Sequence, residues 1–134
     1  MAELRLRIAE AEAALSTLEE AIGGSARSLL ERDGMILRLI YTFEAVWKAS
    51  QQFLAEREGI VVASPNATIR AWRRIGLLSD DDARAAFEIG RDRNLAVHMY
   101  RGELGEEIAQ HIATHAALLR RWVDAFKARV AEGD

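Results

Sequence analysis

The sequence has no cysteine, which removes a disulfide scaffold, a thiolate metal site and a cysteine nucleophile together. An oxidising compartment therefore has no support. One proline and nine glycines in 134 residues are too few for the many turns of an all-β chain. No stretch approaches the roughly 18 uncharged apolar residues of a membrane span. Lysine is nearly missing, two residues against sixteen arginines, a bias that genome base composition explains more simply than phosphate recognition does. The net charge of −3 argues against a general polyanion binder but leaves room for a local basic cleft, particularly where two subunits meet. The opening MAELRLRIAE mixes charged with apolar residues, unlike a signal-peptide core or an acid-poor transit peptide. A soluble, cytoplasmic protein is the expectation.

What is present points to helices. Ala, Arg, Glu and Leu make up about half of the chain, a composition of long helical runs, and the length suits one domain over residues 1–134. Leu4, Ile8, Ala11, Leu15, Leu18 and Ile22 recur at steps of four and three, the narrow seam of a packed helix. Gly23-Gly24-Ser25 ends it. A second pattern runs from Arg27 to about Glu58 through Ile36, Leu39, Ile40, Phe43, Val46, Trp47, Phe53 and Leu54. Gly34 inside it costs about 1 kcal/mol relative to Ala and predicts a break or kink after a short segment at 27–33. Ser50 falls on the seam, where a small side chain admits a neighbouring helix. Ser64-Pro65 and Ser79-Asp80-Asp81-Asp82 read as two helix starts, the first with proline at the first helical position, the second with acid in its first turn. From Glu103 a last long helix carries Ile108, Ile112, His115, Leu119, Trp122, Phe126 and Val130 on one stripe. The expected fold is all-α, an antiparallel four-helix bundle with an extra short helix.

The helix at 79–98 changes character along its length. At about 100° per residue Phe87, Arg91, Asn94, Leu95 and His98 share one arc. Three polar groups there need partners or a cleft to face. A capped helix end with a solvated Arg and a satisfied His is the plain alternative.

The run Arg91-Asp92-Arg93-Asn94-Leu95-Ala96-Val97-His98-Met99-Tyr100 resembles the signature of HEPN domains: an Arg, four to six residues, a His and, in the HepT-type branch, a Tyr two residues on. Upstream, Arg32-Asp33-Gly34 and Phe43-Glu44-Ala45-Val46-Trp47-Lys48 resemble the RDG and FExxWK elements of the nucleotidyltransferase substrate-binding family of the same superfamily. Ser64-Pro65 and Trp72-Arg73-Arg74 lie where that family has similar elements, so the resemblance extends from about Leu30 to Ile108.

The resemblance implies a helical bundle, usually a homodimer, paired with a small nucleotidyltransferase in a toxin–antitoxin or substrate-binding couple. For HepT-type members it implies a ribonuclease that needs no metal or other cofactor, with Arg and His from two subunits converging. The side chains suit such chemistry, since an imidazole transfers protons near neutral pH and a guanidinium matches phosphate oxygens. Two arginines compete. On a straight helix Arg91 lies beneath His98, whereas Arg93 points about 140° away; the family most often uses the Arg directly before Asn, as in Arg93-Asn94. The expected catalytic pair is Arg93 and His98, with the last turn deforming or a partner subunit supplying proximity, and with Arg91 and Asn94 as substrate ligands. Tyr100 is implied as the residue to which the partner adds AMP; a packed ring with a wet hydroxyl is the plain alternative.

His111 and His115 have a spacing that can chelate zinc, with His98 imaginable as a third ligand, but no HExxH glutamate lies between them. His115 sits on the apolar stripe, so a hydrogen-bonded interface histidine is expected, and no metal. Phe43, Trp47 and Trp72 are expected in the core or a dimer contact rather than as base-stacking platforms, and Glu44 with Lys48 reads as an ordinary i,i+4 pair. The functional readings are a dimeric ribonuclease acting on RNA and silenced by a cognate minimal nucleotidyltransferase, a non-catalytic substrate-binding subunit of a two-protein nucleotidyltransferase, and a bare interaction module. The Arg–His–Tyr run favours the first over the third.

Overall fold

A computed structural model describes residues 2–24 and 28–133. Among them are five α-helices and no strand: α1 (Ala2–Ile22), α2 (Leu29–Phe53), α3 (Pro65–Arg74), α4 (Asp80–Leu95) and α5 (Gly102–Gly133). The predicted all-α bundle is the observed fold. α1 packs on α2 and α5, α4 packs on α5, and the short α3 closes one end against α2 and α4.

The apolar stripes face inward as their spacing demands. Leu4, Ala11, Leu15 and Leu18 of α1 are buried, and all seven predicted positions of α5 are too. Trp72 from α3 meets Phe53, Trp122 and Phe126 with ring centroids 4.9–6.1 Å apart. Its Nε1 donates to the Ser50 carbonyl at 3.1 Å, and the Ser50 hydroxyl turns back to the Val46 carbonyl at 2.8 Å. The small residue therefore leaves room for an indole and a backbone acceptor for its N–H. Burying such an aromatic group supplies about 1.5–3 kcal/mol of transfer free energy.

Two local expectations are corrected. Gly34 does not break α2, which runs straight through it: Ser28 accepts from the Glu31 N–H, Glu31 returns the bond to the Ser28 N–H, and this capping box starts a helix whose core stripe outweighs one glycine. The suggested start at Arg27 and the Ser25 terminator lie outside the described residues. The second helix also does not remain α-helical to Glu58. After Phe53 it widens into one π turn, Leu54–Glu58, ended by Gly59 at φ 67° with Ile60 N–H donating to the Leu54 carbonyl.

The other caps are as read. Ser64 accepts from the Ala67 N–H ahead of Pro65, and Ser79 accepts from the Asp82 N–H. Arg32 of the RDG element lies over the first turn of α5. A Cβ at Gly105 would stand 2.6 Å from its Nη2, so this crossing is closed by a guanidinium on a bare backbone, with Asp33 3.0 Å and Glu106 3.8 Å from it.

Candidate functional site

α4 carries the Arg–His run at its C-terminal end and into the turn that follows. Its last turn tightens into a 3₁₀ segment, Ala96–His98, before the bend that leads into α5. Phe87, Arg91, Asn94, Leu95 and His98 line an open cleft of about 620 Å³, so the arc deduced from the helical wheel faces one space. The opposite wall comes from α3, through Asn66 and Arg70. Sequence reasoning missed both, having singled out the basic run at Arg73-Arg74; Arg73 instead stands 3.8 Å from Asp80. Arg70 faces the cleft because it lies two residues before the buried Trp72, on the other side of α3.

The cleft is cationic. Arg91 and Arg70 are exposed on its two sides, His98 is exposed at its end, and Asn94 adds an amide. Among the described residues Arg91 has one weak neighbour, Glu88 at 3.7 Å, which leaves most of its donors to a ligand. Two guanidiniums, the amides of Asn66 and Asn94, and an imidazole around a solvent-open space are suited to an anionic, phosphate-bearing molecule. Tyr100 is 80% exposed, with its ring edge-on to His98 at 6.3 Å between centroids.

Arg93 is not among the residues lining that cleft. Its Nε lies 2.7 Å from Glu44 Oε1 on α2. Glu44 also accepts from Trp47 Nε1 at 3.2 Å and has Lys48 Nζ 3.8 Å away. The 3₁₀ turn follows Arg93 without redirecting it, so in a single chain the two arginines flank α4 on different sides. The i,i+4 pair is thus part of a four-residue cluster that fixes Arg93. Trp47, Phe43 and Trp72 are buried as core residues.

On the α5 side of α4, Asp92 is 1% exposed, and its Oδ2 accepts from His111 Nδ1 at 2.8 Å and His115 Nε2 at 2.7 Å. His115 is the hydrogen-bonded interface histidine that its place on the stripe predicted. Burial pushes its pKa down, with the Asp92 bond opposing that shift. Asp92 itself was not foreseen, since no local pattern links it to residues 19 and 23 positions away. No helix among the described residues is long and apolar enough to cross a membrane.

This architecture recurs in known proteins. A crystal structure from Thermus thermophilus is 43% identical and superposes with a TM-score of 0.81 over 85% of this chain and 96% of that one. A tri-AMPylated Shewanella oneidensis HEPN toxin in complex with an MNT antitoxin shares the fold at 16% identity, with a TM-score of 0.78 over 93% and 96% of the two chains. A mutant MntA–HpeT toxin–antitoxin complex does so at 17% identity and a TM-score of 0.78, over 93% and 97%. No curated protein sequence matches significantly. The family model described as nucleotidyltransferase substrate binding protein like matches residues 6–128, a span that takes in the RDG and FExxWK elements, the cleft and the Arg–His–Tyr run. With that much of the chain matched, it belongs to the nucleotidyltransferase substrate-binding protein-like family.

Proposed function

We propose that this protein is a HepT-type HEPN ribonuclease of the cytoplasm, active as a homodimer and silenced by a cognate minimal nucleotidyltransferase. The observation that carries this reading is the convergence of Arg91, Asn94 and His98 on one cationic cleft, with Tyr100 against His98. His98 takes the proton of a ribose 2′-hydroxyl as it attacks the adjacent phosphate, and returns one to the leaving 5′-oxygen. A guanidinium stabilises the charge that builds on the phosphorane, which requires no metal. Within one chain Arg91 is the guanidinium beside His98. Arg93 keeps its catalytic assignment through a second copy.

An exposed apolar stripe on α2 supports such pairing. The aromatic residues that sequence reasoning offered to a dimer are hidden within one chain, but Leu30, Leu37 and Tyr41 are exposed on α2 and lie with Gly34 within about 40° of one line. Glu44 continues that line, so the Arg93 it holds stands at the edge of the stripe. Pairing through this face sets Arg93 of one protomer toward the partner.

The test is cleavage of RNA by the purified protein. Wild type cuts, and His98→Ala loses at least about a hundredfold in rate, the scale of general acid–base catalysis, with its thermal midpoint within a few degrees because an exposed histidine contributes little packing. Co-expression with the neighbouring nucleotidyltransferase puts AMP on the peptide containing Tyr100, and Tyr100→Phe stays unmodified and active. An added phosphate competes for the arginines that RNA needs. A second reading, a binding subunit that presents a substrate to the nucleotidyltransferase and cuts nothing, is favoured by Arg93 being engaged with Glu44 outside the cleft. Absence of cleavage by unmodified wild-type protein, with nucleotide or RNA bound in the cleft, would establish it.

A further inference from the structure

Beside the cationic cleft, on the α5 side of α4, Asp92, His111 and His115 bring three ligand atoms within 4.8 Å of one another. The carboxylate is the unusual member. Asp92 is 1% exposed, its Oδ2 is shared by two imidazoles, and its Oδ1 is buried with no hydrogen-bond partner among the described residues. A buried carboxylate is costly unless all its lone pairs are used, and the two imidazoles reach only one of its oxygens. A cation between the three groups would complete the compensation.

The geometry suits a small metal ion. His111 and His115 are one turn apart on α5, so their rings project from the same face. Ligand atoms around a tetrahedral ion with bonds of about 2.0–2.1 Å lie roughly 3.3–3.5 Å apart. The N–O distances of 2.7 and 2.8 Å need to open by about 0.5–0.8 Å to reach that spacing, within the freedom of side-chain torsions. Access exists as well. A pocket of about 230 Å³ reaches both histidines from solvent between Ala85, Glu88 and Thr114, and His111 is 39% exposed at its mouth. Glu88, one turn before Asp92, adds negative charge at the rim. Two imidazole nitrogens and one carboxylate oxygen select a borderline divalent transition metal over the hard, all-oxygen preferences of Mg²⁺ and Ca²⁺.

We propose that Asp92, His111 and His115 form a metal site of the Zn²⁺ class, with water in the remaining position, that staples α4 to α5 beside the cleft. The site is independent of the ribonuclease reading, because its residues lie outside the cleft.

The experiment uses full-length protein stripped with a chelator and titrated with Co²⁺, then with Zn²⁺. One equivalent of Co²⁺ produces the visible absorption of a four-coordinate ion, and one equivalent of Zn²⁺ abolishes it. At a hundredfold excess over its Kd, Zn²⁺ raises the thermal midpoint by about 5–10 °C, while Mg²⁺ does not. His111→Gln, at the pocket mouth, weakens Zn²⁺ binding at least about tenfold, as does His115→Gln; His98→Gln leaves the cobalt spectrum unchanged. The proposal is overturned if no four-coordinate spectrum appears and Zn²⁺ leaves the midpoint unmoved. It is equally overturned if binding survives both His111→Gln and His115→Gln, or if Mg²⁺ reproduces the Zn²⁺ effect.

Discussion

Glu44 is read from spacing as half of an ordinary i,i+4 pair with Lys48, yet in the fold its carboxylate serves Trp47, Lys48 and Arg93 together. The i,i+4 rule reports neighbours along one helix and is silent about α4, which brings Arg93 from 49 residues away. Gly34 shows the reverse case, where a local rule was applied too strongly. It lies exposed inside a continuous helix, and a Cβ there would meet nothing within 4 Å of its own chain. Gly34→Ala should therefore stabilise the protein by about 0.5–1 kcal/mol, chiefly by restricting the unfolded chain. Denaturant titration at low protein concentration reads the gain. A loss of stability that appears only on raising the concentration would mean that a second copy packs its backbone against this glycine.

At the scale of elements, the long stripes of α1 and α5 are legible because period and burial agree over many turns. What joins the two helices is not legible. Arg120 grips Glu12 at 2.9 Å and Glu19 at 2.7 Å, and Lys127 reaches Glu12 at 2.8 Å. These bonds, to Arg120 first and Lys127 second, lower the Glu12 carboxyl from 4.5 to about 2, and the hydrogen bonds to Glu19 and then Glu12 push the Arg120 guanidinium up. A folded-state value below the unfolded one means that the unfolded chain takes up the proton first. The contribution is therefore complete above pH 4.5 and is lost as pH falls toward 2. Thermal melts across this window should show a shallower acid decline for Glu12→Gln than for wild type, with the variant the less stable at neutral pH. Identical acid slopes would contradict the clamp.

At the scale of the whole molecule, the two arginines make separable demands. If Arg93 of one protomer and His98 of its partner form one site, then Arg93→Ala and His98→Ala proteins, each inactive alone, complement each other when mixed. Random exchange makes half of the dimers mixed, and each mixed dimer has one intact site of two, so about a quarter of the wild-type RNA cleavage returns. No recovery is expected if each site is completed within one chain, in which case Arg91→Ala rather than Arg93→Ala carries the larger loss. Light scattering at micromolar concentration should give twice the 14.9 kDa of the chain.

By itself the sequence determined the class of fold, the helix starts at Ser64 and Ser79, the buried faces, and the arc of Phe87, Arg91, Asn94, Leu95 and His98. Each is set by periodicity or by a side chain bonding its own backbone within four residues, so no distant partner has to be known. Only the tertiary structure decided that Arg70 and Asn66 form the far wall of the cleft, that Arg93 turns to Glu44, and that Asp92 lies between His111 and His115. Those contacts join different helices, and their identity follows from the angle and register at which packed stripes meet, which the spacing of residues along one helix does not contain.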